Sequence, residues 1–409
     1  MRKEIEMVKK ILRIISIIIA IFVLLLVCMH VDVTLGRKIE AKKNQTKEYE
    51  LHYSDFQLYV DGQSLYQQLF SDIKEAKHSI FTYFFIISDD KSSHTFLKLL
   101  KEKAKEGVQV YLSVDRINDL SFKTKMKNEL QASGVHFTYS RKAELPFFFY
   151  SLHHRNHRRI TTIDGKIGYS GGFNIGDEYL GKNKKFGYWR DYHIRITGDG
   201  VKDLEEQFAL DWKRDTSEAI ASISKQSIPG KTLYTLSSYN GHDIIQKYIE
   251  LIKQAKHSIV IATPYFIPKD ETLMNALIQA RQRGVSIKIV WSFKPDIPFI
   301  KEAAYPYIRK AVENGISVYG YKKGMFHGKA MVFDNETIVI GTANFTPRSF
   351  YINDEMNFYI KGGPLLQQVN QALAQDIQDS KEMTITFLNH LSFLEKCKEK
   401  IVGMFNYYL

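Results

Sequence analysis

His327-Gly328-Lys329-Ala330-Met331-Val332-Phe333-Asp334 runs into Asn335-Glu336-Thr337-Ile338-Val339-Ile340-Gly341-Thr342-Ala343-Asn344. The first eight residues read as a strand, and in a strand a residue and its second neighbour share a face. His327 and Lys329 therefore project together, an imidazole beside an ammonium. Asp334-Asn335-Glu336 reads as a turn and Thr337 opens a second β-branched strand, so the unit is a hairpin with Asp at its tip. Asn344 follows the second arm in a loop of small residues.

One such H-x-K-x4-D pattern, allowing Arg for Lys, arises by chance in about one chain in ten of this composition. Here it occurs twice. His157-Arg158-Arg159-Ile160-Thr161-Thr162-Ile163-Asp164 lies 170 positions earlier, with Gly165 completing an Asp-Gly hairpin turn. Asn174 follows Asp164 at the distance at which Asn344 follows Asp334. Two copies in register, each with its trailing Asn, are not coincidence. A second internal match supports duplication: residues 73–80 (IKEAKHSI) repeat as residues 252–259 (IKQAKHSI).

The paired motifs resemble those of the phospholipase D superfamily. Their surroundings are similar to its bacterial cardiolipin synthase branch: Asn156 before the first motif, Gly171-Gly172-Phe173-Asn174-Ile175-Gly176-Asp177-Glu178-Tyr179 after it, then Trp189-Arg190-Asp191. Gly341-Thr342-Ala343-Asn344, Pro347-Arg348-Ser349 and Asn353-Asp354-Glu355 carry the resemblance in the second half. It covers nearly everything after residue 50. Arg159 departs from the family pattern, which usually has Lys there.

The length, 409 residues of which 44% are hydrophobic, allows a large core and two or three domains. A net charge of +12 favours a polyanionic partner, an anionic membrane surface or a nucleic acid, over a merely basic soluble protein. With two cysteines, Cys28 and Cys397, far apart in sequence, a disulfide framework and a Cys-based zinc site are excluded.

Basic residues Arg2, Lys3, Lys9, Lys10 and Arg13 precede an apolar run over residues 14–29, which approaches the ~20 residues that span a bilayer. No small-residue cleavage site follows, so residues 1–36 read as an uncleaved transmembrane anchor rather than a signal peptide. Basic residues flank both ends, which leaves the orientation open. Residues 37–50 are charged and read as a stalk. After them strands alternate with helices in both halves, which predicts α/β/α units with mostly parallel sheets. The halves span 51–221 and 231–409, with a linker over 222–230. His78 and His257, at matching repeat positions, read as structural. The tail from Glu382 to Leu409 reads as helical and amphipathic, with Phe387, Leu391, Leu394, Ile401 and Phe405 on its apolar side.

The resemblance implies that the two α/β/α units pack as a pseudo-twofold pair and share one site. There one imidazole attacks phosphorus to give a phosphohistidine and the other protonates the leaving alkoxide. It implies His157 as nucleophile and His327 as acid/base, an order that the residues alone leave open. Lys329 and Arg159 would neutralise the nonbridging oxygens, with Asn344 and Asn174 donating to them. With two cations in place the reaction calls for no metal or other cofactor. Asp164 and Asp334 are either catalytic or turn residues that hold each motif in shape. Asp191 and Glu355 are candidates for the carboxylates that orient the imidazoles.

Residues 145–150 (LPFFFY) are either a buried strand or an apolar lip at a bilayer interface, and residues 294–300 (KPDIPFI) occupy the equivalent place in the second half. Lips suit a lipid enzyme better than a nuclease. The implied activity is a transphosphatidylase in the bacterial cell membrane, joining two phosphatidylglycerols into cardiolipin and releasing glycerol. Two other readings stay open: a hydrolase on the same scaffold (a phospholipase, or an endonuclease, though nucleic acid is the less expected partner), and an inactive scaffold that binds anionic lipid.

Overall fold

The computed structural model describes residues 2–43, 46–117, 124–220 and 229–403. Nearly all of the expected linker, and Phe405 at the tail, lie outside these. Each half begins with a long strand, His52–Asp61 or Thr232–Asn240, and continues into a helix, Gly62–Glu75 or Ile244–Gln254. Three strands separated by helices follow: Ser79–Phe84, Gln109–Asp115 and His136–Ser140 in the first half, and Ser258–Ala262, Ser286–Ser292 and Ser317–Tyr321 in the second. Helix starts are set by capping aspartates. Asp61, Asp90 and Asp270 accept from backbone amides of the first turns of helices Gly62–Glu75, Lys91–Lys105 and Glu271–Gln282.

Among the described residues, these three strands are the ones that pair parallel within each half. The motif hairpin then reverses the chain: Ile160–Ile163 pairs antiparallel with Ser79–Phe84, and Ala330–Phe333 with Ser258–Ala262. Strands Ile167–Gly171, Tyr188–Gly198 and His52–Asp61 add on antiparallel, as do Thr337–Gly341, Asp354–Lys361 and Thr232–Asn240 in the second half. The expected mostly parallel sheet is therefore mixed. The reason is local, since a short hairpin can join only antiparallel neighbours.

The two halves meet edge to edge. His52–Asp61 pairs with both Tyr188–Gly198 and the start of Thr232–Asn240. A short strand, Gly324–Phe326, crosses over to lie parallel to Tyr188–Gly198, with Met325 opposite Trp189. Helices cover both faces, which makes each unit α/β/α around apolar strands such as Ser79–Phe84, buried throughout.

Helix Arg2–Lys43 carries an apolar stretch of mean hydropathy 3.2 with no part buried in the protein, as a single-pass membrane anchor requires. It does not end at residue 36. Its last turns continue through the first half of the expected stalk and dock on a short helix, Phe148–His153. Val33 is buried there, Asp32 accepts from the Tyr150 amide at 2.8 Å, and the Arg37 guanidinium lies 5.1 Å from the Tyr351 ring. Lys47–Glu48 then pairs with Thr232–Asn240 as a two-residue edge strand, and Tyr49 is buried. Charged residues read as a stalk because each contributes only one apolar face.

The tail forms helices Ile385–Asn389 and Phe393–Gly403 against helix Ile300–Glu313. Leu388, Leu391 and Val402 are buried in that contact, while Leu394 and Ile401 stay exposed.

Candidate active site

The two motif segments enter the site just ahead of strands Ile160–Ile163 and Ala330–Phe333, in extended but unpaired backbone. Each is pinned by the other half. The His157 amide donates to the Asp354 carbonyl at 2.8 Å, and the His327 amide to the Arg190 carbonyl at 2.6 Å. In each case the residue after that carbonyl supplies a carboxylate to the same histidine. Glu355 accepts from His157 Nδ1 at 2.9 Å through either oxygen, and Asp191 from His327 Nδ1 at 2.5 Å. Both pairings cross between the halves, so neither exists in a half alone.

Nδ1 so engaged leaves Nε2 of each ring for the cavity between the halves, which has a volume of about 270 Å³. Its walls include His157, Arg159, Asn174, His327, Asn344 and Arg348, with Phe85, Trp189 and Tyr265 framing the imidazoles. Phe85 meets His157 edge-on at 4.8 Å, and the Trp189 ring lies 5.4 Å from His327. The rings fix the imidazole planes by contact as the carboxylates fix them by hydrogen bonding.

Lys329 is buried, with Nζ donating to the His327 carbonyl at 2.6 Å and lying 2.9 Å from His327 Nδ1 and 3.3 Å from Nε2. Burial lowers its pKa to about 8, against the pull of Asp191. Arg159 donates through Nη1 to the His157 carbonyl at 2.5 Å and through Nε to Asn174 Oδ1 at 3.2 Å. Asn174 also donates to the Tyr179 hydroxyl at 3.3 Å, so its amide orients the Arg159 guanidinium. Asn344 lines the cavity, and its side-chain oxygen is buried without a hydrogen-bond partner among the described residues.

Burial, then the cations Arg159 and Lys329, hold His157 well below the ordinary imidazole pKa. Burial and Lys329 also lower His327, which Asp191 opposes. The two carboxylates differ. For Asp191 burial acts upward but is outweighed by Lys329 and His327, so its pKa lies below the ordinary value. For Glu355 burial prevails and raises the pKa to about 7, with hydrogen bonds from Ser349 and Thr342 (both 2.6 Å) acting the other way. The site is symmetric in backbone and asymmetric in charge.

Asp164 and Asp334 are not in the cavity. Each sits at its hairpin tip in the left-handed region, φ 53° and 52°. Asp164 accepts from the amides of Lys77, His78 and Ser79, and Asp334 from those of Lys256, His257 and Ser258, all between 2.7 and 2.9 Å. Residues 77–79 and 256–258 are the Lys-His-Ser turns of the internal repeat, so a carboxylate seven residues after each motif histidine ties its hairpin to that turn. Of the two roles open to these aspartates, this geometry is that of a turn residue that holds its motif in shape.

The apolar lips are also placed. Residues 145–150 form a loop and the first turn of Phe148–His153 rather than a buried strand, with Leu145 82% exposed against the anchor's docking site. On the other side Ile297 and Ile300 line the cavity and Phe299 is exposed at its rim. Sequence reading assigned no role to Ser349, Thr342, Trp189, Tyr265 or Asp296. Ser349 falls at the repeat position of Tyr179, so duplication gave no signal for it.

The family model described as "Cardiolipin synthase, PLD-like domain" matches residues 69–212 and 248–377. The chain is 36% identical over 401 residues to the minor cardiolipin synthase ClsB of Bacillus subtilis (strain 168), covering 98% of this chain and 100% of the relative. It is 36% identical over 357 residues to a cardiolipin synthase of Staphylococcus aureus (strain Mu50 / ATCC 700699), covering 85% and 72%. Among solved structures, phosphatidylserine synthase of Haemophilus influenzae Rd KW20 superposes with a TM-score of 0.69 at 17% identity, over 87% of this chain and 95% of that one, a likeness of fold. With two motif-bearing units matched and a full-length relative at this identity, the chain belongs to the phospholipase D superfamily, in its cardiolipin-synthase-like branch.

Proposed function

We propose that the protein is a membrane-anchored phosphatidyltransferase that converts two phosphatidylglycerols into cardiolipin and glycerol. The observation that carries this reading is the pair of cross-oriented imidazoles in one cavity with Arg159, and with the Lys329 ammonium buried against the His327 ring. A phosphodiester placed between them puts its nonbridging oxygens against two cations and its ester oxygen within reach of an acid.

His157 is the better nucleophile and His327 the better acid. An ionised Asp191 stabilises a proton on His327, whereas Glu355, with its raised pKa, and the nearby cations keep His157 neutral. His157 Nε2 attacks phosphorus, the bond to the glycerol headgroup breaks, and His327 gives its proton to the departing oxygen. A free glycerol hydroxyl of the second phosphatidylglycerol then loses its proton to His327 and attacks the same phosphorus, and the P–N bond breaks to release cardiolipin. The cavity lies below the ~300–1,000 Å³ of drug-sized pockets, so it suits headgroups while acyl chains stay in the bilayer beside the lips.

Purified protein in mixed micelles of phosphatidylglycerol, with products read by mass spectrometry, tests the proposal. Equimolar cardiolipin and glycerol, lost in His157→Ala and His327→Ala, is the expected result. Phosphatidic acid in place of cardiolipin would make the protein a hydrolase, and no turnover at all would leave an anionic-lipid-binding scaffold.

A further inference from the structure

Arg348 lines the cavity on the His157 side, a third cation beside Arg159 and Lys329. Its Nε is buried without a partner, and no ion pair among the described residues includes its guanidinium. The carboxylates near enough to feel its charge are engaged elsewhere: Asp115 lies 3.6 Å from Arg155, and Glu355 holds His157. Burial and the neighbouring Arg155 both act against the charge of Arg348. A half-buried guanidinium without a counter-ion among the described residues is costly unless an anion arrives to pair with it.

The repeat sharpens the point. By the offset that equates the motifs, Arg348 corresponds to Glu178, which burial and the nearby Asp296 push toward its protonated form. Asp296 itself lines the cavity on the His327 side, where Tyr265 bonds to it. One flank of a pseudo-symmetric site is thus basic and the other acidic. A substrate pair with one phosphate in reaction and a second phosphate to one side matches that arrangement, and a neutral alcohol or water does not.

We propose that Arg348 is the subsite for a second phosphodiester, the acceptor lipid's own phosphate, and so selects an anionic glycerophosphate alcohol over neutral alcohols. This rests on the transferase reading. A planar guanidinium with free donors pairs with two phosphate oxygens at once, and holding the acceptor there aims its glycerol hydroxyl at the phosphohistidine.

The test is a competition in mixed micelles, with phosphatidylglycerol as donor and ethanol added as neutral acceptor. The readout is the ratio of cardiolipin to phosphatidylethanol. Arg348→Gln is expected to lower this ratio at least tenfold, and Arg348→Lys to recover at least threefold of the loss. Glycerol 3-phosphate, a soluble anionic alcohol, should be preferred to glycerol by the wild type and not by Arg348→Gln, which separates recognition of phosphate from recognition of lipid chains. An unchanged ratio overturns the proposal, whether or not total turnover falls. Loss of every product in both variants also overturns it, because Arg348 would then serve the donor phosphate or the fold. Absence of cardiolipin from the wild type itself would instead sink the transferase reading.

Discussion

At the scale of single residues, the charge of Glu355 makes the sharpest prediction. Its pKa is raised to about 7 by burial, and the Ser349 hydroxyl bond at 2.6 Å favours the ionised form. Ionised Glu355 stabilises the positive charge that His157 acquires on bonding to phosphorus, so the rate of that step should rise as pH passes through about 7. Ser349→Ala removes a bond to a charged acceptor, so the carboxyl titrates higher still and the half-rise moves alkaline by about one unit. Single-turnover rates against pH in both proteins check this, and a half-rise that stays put or moves toward acid would sink it. Much of this site was legible in the sequence, because His157, Arg159, His327 and Lys329 lie two apart in extended segments and extended backbone fixes their faces. What each carboxylate touches was not legible. Asp191 and Glu355 meet histidines 136 and 198 residues away, and only the packing of the halves decides that they cross.

At the scale of elements, repeated hydrophobic strands and turn signals marked both α/β units, and the mixed sheet departed from expectation only where the motif hairpin imposes antiparallel pairing. Helix Arg2–Lys43 is the larger departure. Composition separates an apolar span from a charged segment, but a helix with one apolar face remains a helix through both. Its docked end rests on the absence of a side chain at Gly36, where an added Cβ would lie 2.6 Å from Tyr150 Cβ and Cγ. Gly36→Leu should therefore force the anchor off Phe148–His153 at a cost of about 1–3 kcal/mol. We expect hydrogen exchange of the amides in Phe148–His153 to quicken at least fivefold, Tyr150 included, since its amide is held by Asp32. Unaltered protection there would show that the anchor hangs free of the catalytic domain.

At the scale of the whole molecule, the site exists only while the halves stay together, and a buried charge cluster holds them beside it. Asp354, from the second half, accepts from Arg141 Nε at 2.8 Å, His154 Nε2 at 2.7 Å and Arg214 Nη1 at 3.2 Å, all from the first half. Its neighbour Glu355 and its own carbonyl both hold His157, so the cluster and the catalytic geometry share one strand end. Asp354→Asn removes the carboxylate that Arg141 binds through two nitrogens, while Arg158 and Arg214 keep Asp211, and it costs about 3 kcal/mol. The pH dependence follows from the signs. Although burial acts upward, Arg141, His154 and Arg158 hold the Asp354 pKa well below its ordinary 3.8, so its contribution is present above about pH 4 and is lost as pH falls through the folded value. His154 behaves differently. Burial, then Arg141, lowers its pKa to about 4, so the unfolded chain binds a proton between about pH 6.5 and 4 that the folded chain refuses, and stability falls across that window with or without Asp354. The deficit in Tm of Asp354→Asn should therefore hold steady from pH 8 to pH 5 while both melting temperatures drop below pH 6.5. A deficit that widens toward pH 5 would mean that Asp354 keeps the proton on His154 at neutral pH, and that the bond between the halves is a histidine switch rather than a fixed arginine lock.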